Sequence, residues 1–81
     1  MQNDELKHLI ENGLPGAMVS VDGDGRHFQA LIVSDAFVGR SMLEQHRMVY
    51  DVLGDRFANE TVHALSLRTF TPVQWQARGG V

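Results

Sequence analysis

Apolar residues recur along this chain with two different periods, and the change of period marks out the elements. Leu6, Leu9 and Ile10 follow each other at three and four, which predicts a short amphipathic helix capped by Asn3 or Asp4 and ended by Gly13 and Pro15. Ala17 to Val21 then alternates, Asp22-Gly23-Asp24-Gly25 supplies residues that tolerate a tight turn, and His27 to Val33 runs on as a second strand. The two form a β-hairpin. Ser41-Met42-Leu43-Glu44 has the spacing of a capping box and opens the main helix. Its apolar stripe is read as Met42, Val49, Tyr50, Leu53 and Phe57, with His46 on the same side. Gly54 weakens the helix end, Asn59-Glu60 makes a turn, and Val62 to Phe70 is a third strand with His63, Leu65 and Leu67 on one face. Thr71-Pro72 caps a short terminal helix that carries Val73 and Trp75, with Trp75 expected in the core, and residues 77–81 are expected to fray.

The order is α-β-β-α-β-α without linker or repeat, so residues 1–81 are read as a single α+β domain. A helix joins the second strand to the third, which makes that pair parallel by a right-handed crossover. The expected architecture is a three-stranded mixed sheet with helices packed on one face.

Composition narrows the chemistry. Apolar residues at 43% and charged residues at 21% describe a folded module rather than a disordered one. A net charge of -3 gives no overall attraction to phosphate backbones, so nucleic-acid binding needs a local basic patch. The acidic start is not followed by a long apolar run, which argues against a secretory signal or a membrane span and makes the cytoplasm the default location. The chain has four histidines and no cysteine, so any thiolate-ligated cluster must take its cysteines from a partner. No nucleophile is placed on an elbow, no full glycine fingerprint precedes a helix, and the chain is not read as an enzyme.

Four motifs in order resemble the BolA family: Phe37-Val38-Gly39-Arg40-Ser41, Gln45-His46-Arg47-Met48-Val49-Tyr50, Val62-His63-Ala64-Leu65-Ser66-Leu67 and Thr71-Pro72-Val73-Gln74-Trp75. The short hairpin 22–28 is most similar to the IbaG branch of its bacterial members. The resemblance implies a fold related to the second type of KH domain. It also implies partnership with a monothiol glutaredoxin, the two proteins sharing a [2Fe-2S] cluster for which glutaredoxin and glutathione supply thiolates. On that footing His63 is the family's ligand histidine, and the second ligand from the hairpin is His27, with Asp24 as the alternative. The service implied is iron–sulfur trafficking or iron and stress regulation, with no cluster expected in the isolated chain, which would be a monomer or weak homodimer.

The residues leave other readings open. A DNA-binding regulator of the same fold would use Arg40, Ser41 at the helix start and Arg47 to hold phosphate. A cluster-free interaction module would look the same in sequence. Arg68 and Arg78, which flank the third strand and final helix, are assigned to partner docking. His46 is expected at the core edge and His8 in solvent.

Overall fold

The computed structural model describes residues 2–24, 27–54 and 65–79. Helix α1 (Asn3–Gly13) leads into β1 (Met18–Gly23), β2 (Phe28–Val33), a single 3-10 turn (Asp35–Phe37), α2 (Met42–Leu53), β3 (Leu65–Phe70) and α3 (Pro72–Ala77). The strands lie in the order β1-β2-β3. β1 and β2 pair antiparallel from Met18 opposite Val33 to Gly23 opposite Phe28, and β2 pairs parallel with β3 from Phe28–Leu65 to Val33–Phe70. This is the α+β, three-stranded mixed sheet in α-β-β-α-β-α order that the period changes predict.

Alternation along the strands decides which face is dry. Val19, Phe28, Ala30, Ile32, Leu65 and Thr69 are buried, while Ser20, Asp22, Gln29, Ser66 and Arg68 are exposed. Helices α1 and α2 cover the dry face. Each presents a stripe at i, i+4 and i+8: Leu6, Ile10 and the capping residue Leu14 from α1, and Gln45, Val49 and Leu53 from α2. Phe28 and Phe37, at 1% and 0% exposure, fill the space between, and burial of each ring stabilises the fold by about 1.5–3 kcal/mol. At the last residue of α1 the helices approach so closely that a Cβ on Gly13 would collide with the side chain of Val52.

Several expectations shift. Neither Asn3 nor Asp4 caps α1: Gln2 holds that position without a side-chain bond, and Asn3 instead donates from Nδ2 to the Gly23 carbonyl at 3.3 Å. That bond joins the helix start to the end of β1, a long-range partner that helix-start statistics do not foresee. β2 begins at Phe28 rather than His27, because the His27 backbone is used to close the turn. Met42 is 69% exposed and stands outside the α2 stripe, its place taken by Gln45. The amide of Gln45 donates to the carbonyls of Phe37 at 3.2 Å and Arg40 at 3.0 Å, and its Oε1 accepts from the Thr69 hydroxyl at 2.6 Å. A buried polar side chain with its bonds made can occupy a core position that periodicity reserves for an apolar one. Phe57, the Asn59-Glu60 turn and Val62 to Ala64 lie outside the described residues.

Both capping boxes form. Ser41 Oγ accepts the Glu44 amide at 3.1 Å while Glu44 Oε1 accepts the Ser41 amide at 2.9 Å, and Thr71 exchanges the same two bonds with Gln74. α2 ends at Gly54, whose φ of 61° lies in the left-handed region. The terminal helix departs from the one-face arrangement. Trp75 is half-buried rather than in the core: it packs on Phe70, ring centroids 5.4 Å apart, on the strand side opposite Thr69. Its short helix buries no residue, so the ring rests on the outer face of the sheet.

Candidate functional site

The hairpin turn is built by its own polar groups. Asp22 Oδ1 accepts the Gly23 amide at 2.9 Å, the Asp24 amide donates to the His27 carbonyl at 3.2 Å, and Asp24 Oδ1 accepts the His27 amide at 2.9 Å. A Cβ on Gly23 would strike the His27 carbonyl, so glycine is required by that close approach. The turn brings His27 and Asp24 together. The imidazole Nδ1 lies 3.9 Å from Asp24 Oδ1, too long for a hydrogen bond, and the two side chains are 79% and 71% exposed. An exposed imidazole is a borderline nitrogen donor for iron or zinc, and the carboxylate beside it is a harder oxygen donor. Among the described residues no three histidine, aspartate or glutamate side chains converge on a metal site.

The parallel pairing sets what enters beside this turn. Phe28, which follows His27, pairs with Leu65, the first residue of β3. His63 precedes Leu65 by two residues and lies outside the described residues.

Arg40 and Ser41 immediately precede α2, and Arg47 lies in its second turn. All three are exposed, but the helix N-terminus between them already holds an anion, the Glu44 carboxylate. The Ser41 amide and hydroxyl, with smaller help from Arg40 and Arg47, hold the Glu44 carboxyl below its ordinary value. A phosphate arriving here would meet that carboxylate first.

Arg68 and Arg78 come together over one ring. Their guanidinium carbons lie 5.8 and 5.0 Å from the Phe70 centroid, within cation–π range. Phe70 was not singled out by sequence reasoning, although alternation puts it on the same strand face as Arg68, and a helical spacing of three relates Trp75 to Arg78. The indole Nε1 of Trp75 is buried and finds no acceptor among the described residues. His46 is half-buried on α2 and His8 is exposed on α1, as expected. No helix among the described residues is long and apolar enough to cross a membrane.

Comparison with known proteins gives one consistent result. The family model for BolA-like proteins matches residues 2–74. The acid stress protein IbaG of Escherichia coli is 36% identical over 75 residues, covering 93% of this chain and 89% of that protein. The DNA-binding transcriptional regulator BolA of the same organism is 43% identical over 54 residues, 67% of this chain and 50% of that one. Among solved structures, a BolA homologue from Coxiella burnetii superposes with a TM-score of 0.83 at 39% identity over 94% of this chain and 97% of its own. The BolA domain of SufE1 from Arabidopsis thaliana does so at 0.75 and 32% identity, over 88% and 92%.

Proposed function

The chain belongs to the BolA family, and from that membership we propose that it is a cytoplasmic, non-catalytic adaptor that shares a [2Fe-2S] cluster with a monothiol glutaredoxin. The cluster is cargo, and the service is iron–sulfur trafficking or the regulation of iron and stress responses, in keeping with the acid-stress name of the E. coli relative. One observation carries this reading. The hairpin turn exposes a histidine and an aspartate at the end of the sheet where β3 begins, two residues after His63 in the chain.

The donor chemistry fits a shared cluster. With no cysteine in its sequence the chain offers imidazole and carboxylate alone, so thiolates from glutaredoxin and glutathione must complete the ligand set. His63 and His27 are the proposed ligands, with Asp24 as the alternative to His27. Imidazole in place of thiolate raises a cluster's reduction potential, and ligation then requires the neutral ring, which makes the bond labile to acid. Arg68 and Arg78 would face an acidic surface of the partner, and alone the protein would be a monomer or weak homodimer.

The test mixes the purified protein with cluster-loaded glutaredoxin. Wild type should convert the glutaredoxin homodimer into a mixed complex with altered visible absorption and circular dichroism. His63→Ala should abolish that change, and comparison of His27→Ala with Asp24→Ala identifies the second ligand. Persistence of the homodimer with wild type overturns the proposal.

The second reading is a DNA-binding regulator, favoured by the presence of Arg40 and Arg47 near enough to Glu44 to act on its carboxyl and by the similarity to E. coli BolA, a DNA-binding transcriptional regulator. Glu44 stands against it. DNA binding that falls steeply with salt and is lost in Arg40→Ala would support it, and absence of binding at low salt would end it.

A further inference from the structure

The sheet face turned away from α1 and α2 is a groove with a charge at each end. Register places Ser20, Leu31 and Arg68 in one cross-strand row and Asp22, Gln29 and Ser66 in the next. Trp75 and Arg78 rise beside these rows and complete a groove of about 550 Å³. That size falls among sites for small molecules, about 300–1,000 Å³.

Its polarity is specific. Arg68 and Arg78 both line one end, each guanidinium within cation–π range of the Phe70 ring, and either can form charge-assisted bonds to an anion in the groove. Asp22 marks the other end, its carboxylate steadied by the bond from the Gly23 amide at 2.9 Å. Gln29 and Ser66 offer hydrogen-bonding groups between the poles, and Leu31 is the large apolar side chain of the floor. Asp22 is two strands across and two residues along from Arg68, roughly 12 Å between Cα positions by standard strand spacing and rise. An extended tripeptide spans about 10 Å.

We propose that this groove binds a short peptide with a free N-terminal ammonium and an acidic C-terminal residue. The two carboxylates of that residue pair with Arg68 and Arg78, an aliphatic side chain covers Leu31, and the ammonium points to Asp22. The charges match, since two arginines and one aspartate complement two carboxylates and one ammonium. Trp75 lines the groove, and its buried indole N–H has no acceptor among the described residues. The inference stands on the groove alone and owes nothing to the cluster reading.

The single tryptophan of the chain reports binding directly. Titrating the isolated protein with glycyl-leucyl-glutamate should change its fluorescence saturably and shift the backbone amide resonances of Leu31, Ser66 and Arg68. Arg68→Ala and Arg78→Ala should each weaken binding about tenfold or more, the loss expected for a charge-assisted bond. Asp22→Asn keeps an acceptor for the Gly23 amide and should weaken binding severalfold, as should N-acetylation or C-terminal amidation of the peptide. Amide spectra of each variant establish that it is folded, and Arg68→Lys, which keeps the charge without the fork, should fall between wild type and Arg68→Ala. Equal affinity for the N-acetylated peptide, or for inorganic phosphate, would reduce the groove to a plain anion site and overturn the proposal. So would the absence of saturable binding up to about 10 mM peptide. Glutaredoxin is absent from the experiment, so its outcome is separate from that of the cluster assay.

Discussion

Gln45 does the work of three contacts from one side chain. Its amide group ties the loop carbonyls of Phe37 and Arg40 to α2, and its oxygen takes the Thr69 hydroxyl from β3. Removing the hydroxyl with Thr69→Val leaves that buried oxygen without its donor, a loss of about 1–3 kcal/mol that urea unfolding midpoints would register. A companion Gln45→Leu should cost more, because two loop carbonyls lose their donor together. Glu44 sets an acid limit of a different kind. Its carboxyl is held below the ordinary 4.5 by the Ser41 amide and hydroxyl, so its contribution is present above that value and is lost as the pH falls through the lowered one. Wild type should therefore exceed Glu44→Gln in stability at pH 6, and the gap should close below pH 4.5 in urea titrations run at each pH. Sequence showed the Ser41–Glu44 pair because its signal is local. It could not show the Gln45–Thr69 pair, whose members meet only after the sheet has formed.

At the scale of elements, helix packing depends on a missing side chain. Gly13 ends α1 against Val52 of α2, and the Cβ of Gly13→Ala would enter the valine's space. Alanine favours helix over glycine by about 1 kcal/mol, yet overpacking here should reverse the sign and destabilise by about 1–3 kcal/mol, with partial recovery in the double variant Gly13→Ala, Val52→Ala. Thermal melts of wild type and the two variants would check it. Hairpin, main helix and third strand were legible because their periods and turn residues are strong, and the stripe from Val49 to Leu53 lies where spacing puts it. The terminal helix was legible as a helix but not in its placement. Trp75 reads as core by residue type, and only the packing against Phe70 reveals that it serves the outer face.

At the scale of the whole molecule, function was legible through motifs rather than through geometry. The BolA resemblance rests on four ordered segments, and the family assignment agrees with it. Of the proposed ligands, His27 and Asp24 meet in one turn; His63 lies outside the described residues. The turn itself is local and can close as soon as β1 and β2 have been made. Its parallel neighbour cannot, since Leu65 reaches Phe28 only after α2 has folded back across the sheet. Pairings between segments so distant in sequence pay their loop-closure entropy late and slow the folding rate. A chain emerging from the ribosome would thus present the hairpin early and lack its neighbouring strand until β3, which follows α2 in the chain, had been synthesised. The end of the sheet that carries His27 is completed only when folding is, which makes any activity housed there a report on a finished molecule.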